Sequence, residues 1–195
     1  MTAHIMQGKI QMPLFRDFVP AFIRPWLYLF FAFVFQLSDA VYLVSANAMA
    51  STTPLTHEDV MMCGYFALVG VNMPFPLFFR LKFRFKNKQM LLACALCILV
   101  CNILSLYTCS LPLLCIMCYL AGFCKLWGTF ECMSNIQLWL TPERDFSIFF
   151  PFLYILVLGD IQCSEFLGTY IDFYYTWQYM HYALIVLLLI VVLIL

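Results

Sequence analysis

The stretch "RLKFRFKNKQMLLACALCILVCNILSLYT", Arg80 to Thr108, joins two kinds of chemistry. Its first nine positions carry Arg80, Lys82, Arg84, Lys86 and Lys88, half of the ten Lys and Arg in the chain. From Met90 to Thr108 the residues are then apolar almost without break, with Asn102 the chief interruption. Alternating cations suit the face of an exposed strand or a nucleic-acid grip. The run that follows suits neither, because it is far longer than a strand and close to the roughly 20 apolar residues that a bilayer-crossing helix needs.

Composition points the same way. The chain is 65% hydrophobic and 10% charged, against about a quarter charged in a typical soluble domain. A folded domain of 195 residues cannot hide that much apolar surface from water, so the chain calls for a non-aqueous solvent. Net charge is zero, which argues against nucleic acid as a partner. Ten cysteines in a small secreted protein would suggest a disulfide framework. Here nearly all lie in apolar runs, where a thiol serves as a small hydrophobe. Cys94, Cys97 and Cys101 share a helical face, but no histidine or carboxylate accompanies them. No metal or cofactor is expected.

Six segments have the length and apolarity of spans: 26–47, 60–79, 90–108, 112–140, 147–170 and 177–195. "STTPLTHED", "SLP", "TPERD" and "DFYYTW" supply breakers between them. Thr141 and Pro142 are start signals for the fifth helix. The expected fold is an all-α membrane protein, a six-transmembrane-helix bundle over residues 26–195 behind a tail of residues 1–25. That tail lacks a signal peptide's apolar core and cleavage site. Leu14, Phe15, Phe18 and Phe22 suit it to the membrane interface.

With six spans, Lys9, Arg16, Arg24, the five cations of the 80–88 stretch and Arg144 all fall on one side, nine of the ten Lys and Arg. The other side has His57, Glu58, Asp59 and Asp172. Positive charge is retained on the cytoplasmic side, so the reading is a multi-pass protein of the inner cell membrane with a cytoplasmic N-terminus. The basic stretch is then a cytoplasmic loop, with anionic membrane lipids as partners at about 1 kcal/mol per cation.

Charges at membrane depth are costly and mark partners, cavities or pathways. Five occur here: Asp39 in span 1, Lys125 and Glu131 in span 4, and Asp160 and Glu165 in span 5. Spans 3 and 6 carry none, and are expected to face lipid while the others surround a polar interior. Gln36, Asp39 and Asn47 fall in one sector of a continuous helix, giving span 1 a single polar stripe. Glu131 and Asn135 share a face of span 4. Lys125 lies about 120° away from Glu131 and about 9 Å along the axis. Its counter-charge is therefore expected from Asp39 or Asp160. The histidines His4, His57 and His181 occupy the tail or span ends, and no zinc-protease or paired-aspartate motif is present, so no enzyme is expected.

The chain resembles the N-terminal half of a major facilitator superfamily transporter, of the fourteen-span drug–proton antiporter type. "LSDAVYLVSANAMA" resembles that group's first-helix motif, with Asp39 at the aspartate position. "PLFFRLKFRFKNKQMLL" stands where the family has its basic 2–3 loop. Arg84, Lys86 and Lys88 supply its basic part, while the loop's glycines and acid are absent. Arg144 matches the basic residue after span 4, and Gly168 followed by Trp177 resembles the passage from span 5 to span 6. The fifth-span motif's further glycines and proline are missing; Ser164, Glu165 and Thr169 stand there instead.

The resemblance implies a central cavity lined by helices 1 and 4, alternating access between two halves, and a chain that is truncated or pairs with a second copy. It implies transport of a small-molecule substrate, driven by protons. Asp39, Asn47, Lys125, Glu131 and Asn135 would be cavity groups, with Asp160 and Glu165 as coupling or gate groups. The alternative is a non-catalytic six-helix assembly or scaffold protein, against which the buried charges argue.

Overall fold

A 30-residue helix, Leu111–Leu140, is the element against which most of the chain packs. The structure is a computed structural model that describes residues 23–39, 42, 45–73, 76–77, 86–140 and 149–195. Side chains are described at all of these except 25, 39, 137–140, 149, 150, 152, 153, 156–158, 160, 161 and 164. The described residues are all-helical: α1 Arg24–Gln36, α2 Ala46–Thr52, α3 His57–Asn72, α4 Asn87–Tyr107, α5 Leu111–Leu140, α6 Phe149–Tyr174 and α7 Gln178–Ile194. Unbroken apolar runs without internal breakers dictate the long helices, and their ends fall within a few residues of the expected spans.

Local chemistry sets the starts. Thr56 closes a reciprocal cap on α3: its hydroxyl accepts from the Asp59 backbone N–H, while the Asp59 carboxylate accepts from the Thr56 N–H at 3.0 Å. Glu58 and Asp59 in that first turn also complement the helix dipole. The start of α4 has the opposite character. Lys86 precedes it in extended conformation and Lys88 sits in its first turn, where cations oppose the dipole. Helix stability does not explain their placement.

Span 1 departs from expectation. Instead of one continuous helix over 26–47, α1 stops at Gln36, a 3-10 turn occupies Leu37–Asp39, Tyr42 is helical, and a bend at Ser45 precedes α2. Ser38 and Asp39 are residues whose short polar side chains compete with helical backbone bonding. The single polar stripe through Gln36, Asp39 and Asn47 therefore does not exist as such. Asn47 lies on a separate helix and is exposed.

Two glycines let neighbours approach α5 closely. Gly122 abuts the backbone of Ala67, and Gly70 abuts that of Tyr119, so α3 and α5 touch main chain to main chain. Gly128, about 120° further round the helix, lies under the ring of Phe35, whose carbons stand 2.7–2.8 Å from where a Cβ would be. Cys63 beside Cys115 shows that α3 and α5 run parallel. Helix α4 runs antiparallel to α5: Cys101, Asn102 and Ser105 face Met117, Cys118 and Ala121. Tyr28, Phe31, Phe35 and Trp127 fill the core between α1 and α5.

Helix α7 packs on α4, burying Met180, His181, Leu184, Leu188 and Val191. Spans 3 and 6 each bury one face against the bundle and keep large apolar side chains such as Val100 and Leu193 exposed on the other, so they add to the interior as well as to the outer surface. On α6, a Cβ on Gly159 would meet nothing within 4 Å among the described residues, and Glu165, Phe166, Tyr170 and Phe173 are exposed while Gly168 is buried.

Among the described residues, Asn87–Tyr107 and Leu111–Ile136 are long and apolar enough to cross a membrane; Trp26–Gln36 and Gln178–Ile194 are apolar and shorter. Both long helices keep large apolar side chains on the outside, including Leu96, Val100 and Ile103 on α4 and Leu113, Ile116 and Leu120 on α5.

Candidate functional site, a buried polar cluster

Polar side chains gather inside the bundle at two levels. Near the Arg24 end, Glu131 is 1% exposed and its carbonyl accepts from the Asn135 amide at 2.7 Å. Arg24 and Glu131 both act electrostatically on Tyr28, which places this carboxylate beside the start of α1. One turn away, the Gln36 amide donates to the Thr129 hydroxyl at 3.3 Å. Glu131 and Asn135 are brought together as their spacing predicts, and Lys125 is half-buried on the same helix.

The second level, toward the Trp177 end, is the more completely built. Asn102, on α4, donates from Nδ2 to the Ile98 carbonyl at 2.9 Å, which turns its Oδ1 toward α7. There His181 Nδ1 lies 2.9 Å from that oxygen. His181 is 1% exposed and is enclosed by two rings edge-on: Tyr42 at 5.7 Å and Trp177 at 5.6 Å between centroids. Tyr42 reaches Ser105 and Cys118 with its hydroxyl, and Ser105 donates to the Asn102 carbonyl at 2.9 Å. A cavity of about 10 Å³ lies between Ser38, Tyr42, Asn102, Ser105 and Cys118, room for about one water. Among the described residues, Ser38 Oγ and His181 Nε2 are buried without a hydrogen-bond partner.

A strap covers this end. Ser45 donates to the Asp172 carboxylate at 3.1 Å, and the Trp177 indole donates to the Thr52 hydroxyl at 2.8 Å. These two bonds tie α2 to the α6–α7 junction. Burial pushes the Asp172 carboxyl above its ordinary range, partly offset by the bond from Ser45.

The remaining expected groups divide. Asn47 and Glu165 are exposed and do not belong to the interior. Asn47 lies beyond the 3-10 turn and the bend in span 1, and Glu165 lies on a face of α6 left exposed by the described residues. Lys86 is exposed and Lys88 half-buried at the start of α4. Arg80, Lys82, Arg84 and Arg144, and the side chains of Asp39 and Asp160, lie outside the described residues, and so does any pairing of Lys125 with either aspartate. Among the described residues no group of three or more His, Cys, Asp or Glu side chains is gathered to hold a metal. The ten cysteines are free thiols, and Cys63 Sγ and Cys115 Sγ stand 4.0 Å apart.

Sequence reasoning passed over Asn102 and His181. Their signal was present: each is the one strongly polar residue deep in an otherwise apolar run, at similar depth from the same end. No protein-family profile, curated protein or solved structure matches the chain.

Proposed function

We propose that the chain is a six-span membrane bundle of the inner cell membrane, one half of a proton-coupled secondary transporter of the major facilitator type. It moves a small solute, with drug efflux as the subclass. The observation that carries this is the inverted distribution of polarity. Asn102, Glu131, Asn135 and His181 are buried, while Leu96, Val100, Ile116, Leu120, Leu189 and Leu193 are exposed. Each large apolar side chain left in water forgoes about 1.5–3 kcal/mol, so this surface suits acyl chains. Buried polar side chains then act as interhelical glue or as a pathway. The one-sided distribution of Lys and Arg adds the orientation.

One observation favours the second reading, a non-catalytic membrane assembly protein. The small cavity described above admits about one water, while a concavity of about 520 Å³ lies on the exposed face of α6 formed by Gln162, Glu165, Thr169 and neighbouring aromatics.

Two measurements test the proposal. Cys109 is exposed in the short α4–α5 connection, which the topology puts outside the cell. A membrane-impermeant maleimide should label Cys109 in intact cells and leave the Cys109→Ser variant unlabelled; labelling only after permeabilisation overturns the orientation. In proteoliposomes, a pH gradient should drive flux of amphipathic solutes, and Asp39→Asn should abolish it while the protein stays monodisperse in detergent. Flux that ignores the gradient and the substitution leaves the assembly reading.

A further inference from the structure

The Asn102 amide is oriented by its own helix. Nδ2 donates to the Ile98 carbonyl, so the atom facing α7 is the acceptor Oδ1. A neutral imidazole 2.9 Å away meets that acceptor through a proton on Nδ1. In the neutral ring the other nitrogen then carries the lone pair. That atom, Nε2, is buried and has no hydrogen-bond partner among the described residues. Tyr42 and Trp177 flank the ring with their planes nearly perpendicular to it, at 5.7 and 5.6 Å between centroids.

From this geometry we infer that His181 is a proton-binding site of the bundle, held as the Nδ1–H tautomer by Asn102 and taking up a proton at Nε2. The proton adds to the Nε2 lone pair and leaves from the same atom. The ring passes between neutral and singly positive, and no other bond forms or breaks.

The surroundings are accounted for element by element. The segment after α1 contributes Tyr42; α4 contributes Cys101, Asn102 and Ser105; α5 contributes Cys118; α7 itself contributes Trp177. Among the described residues lining the adjacent cavity there is no carboxylate, lysine or arginine. Asp172 at this end is bonded to Ser45. Asp39, whose side chain lies outside the described residues, follows Ser38 in the 3-10 turn. The site stands near the Trp177 end, apart from Glu131 near the Arg24 end. It deepens the proton-coupled reading and rests on that reading for its role in transport, but its occupancy is measurable without any flux.

The test is nitrogen NMR of the full chain in lipid nanodiscs, labelled at histidine. His4→Gln with His57→Gln leaves His181 as the one histidine; His57 is exposed at the start of α3, and His4 belongs to the tail read from the sequence. At pH 8 the ring should be the neutral Nδ1–H tautomer. Acidification should protonate Nε2 reversibly, and Asn102→Ala should move the neutral ring toward the Nε2–H tautomer. An Nε2–H tautomer at pH 8 in the parent overturns the inference. So does a ring that stays neutral down to the pH at which helical circular dichroism is lost. Either failure leaves the transport reading to stand or fall on its own flux and labelling measurements.

Discussion

Gly122 lies with its α-carbon against the main-chain carbonyl of Ala67, and Gly70 meets the main chain of Tyr119 at the same crossing of α3 and α5. Apolar burial drives helix association weakly where the outside solvent is as apolar as the interior, so close backbone approach carries more of the attraction. A methyl group at Gly122 would strike backbone, which cannot rotate away. Gly122→Ala should lower stability by about 1–3 kcal/mol through overpacking. Gly159→Ala is the internal comparison: it meets open space on α6 and should be neutral or gain up to about 1 kcal/mol from helix propensity. Thermal unfolding in detergent reads both. Equal losses in the two variants would mean that α3 and α5 do not meet through these glycines.

The Ser45–Asp172 bond gives the strap a pH dependence of defined sign. The folded Asp172 carboxyl is raised, by burial first, with the Ser45 bond opposing it. The native state then holds this proton over a range of pH in which the unfolded chain has lost it. Stability from this group is fully present below the ordinary carboxylate value, falls as pH rises toward the raised one, and is level above it. Asp172→Asn keeps an acceptor for Ser45 without the charge. Thermal midpoints should lose that slope, and the variant should melt higher than the parent at pH 7. A variant with the parent's slope would show that Asp172 titrates without feeling the fold.

The carboxylate capping α3 works in the opposite sense. Hydrogen bonds from the Thr56 backbone N–H and then its hydroxyl hold the Asp59 carboxyl below its ordinary value. Its contribution is present above the unfolded value and lost as pH falls through the folded one. Thr56→Ala should cost about 1 kcal/mol at neutral pH and shrink, without abolishing, the acid-side loss assigned to Asp59, because the backbone N–H bond to its carboxylate remains. Scans from pH 7 to pH 3 on the parent and Thr56→Ala separate this from the Asp172 effect, because the slopes have opposite signs.

Helix positions were legible because they depend on one coarse variable, apolar length between breakers. The helices Asn87–Tyr107, Leu111–Leu140 and Gln178–Ile194 begin within a few residues of where the runs do. The interior was less legible. Treating span 1 as continuous placed Gln36 and Asn47 on one face, but the 3-10 turn at Leu37–Asp39 and the bend at Ser45 put them on separate helices. Counting charges per span sent spans 3 and 6 to the periphery, yet one asparagine and one histidine suffice to pair those helices. Their depths were calculable: Asn102 is six residues before Thr108 and His181 four after Trp177, about 9 and 6 Å from the same end. What periodicity does not contain is which neighbour a polar residue turns toward. That depends on the order in which helices pack around α5.

The second bond of the strap is the more separable one. Trp177 donates from its indole N–H to Thr52 Oγ1 at 2.8 Å, while the Thr52 hydroxyl donates in turn to the Ala48 carbonyl at 2.9 Å. Trp177→Phe keeps a ring against His181 and removes the donor, and should cost about 1 kcal/mol. Thr52→Val removes the acceptor and should cost a similar amount. If the two side chains act through one bond, the double variant should lose less than the sum, with a coupling of about 0.5–1.5 kcal/mol in a double-mutant cycle. Strict additivity would mean that α2 is held to the α6–α7 junction by Ser45 and Asp172 without help from Trp177.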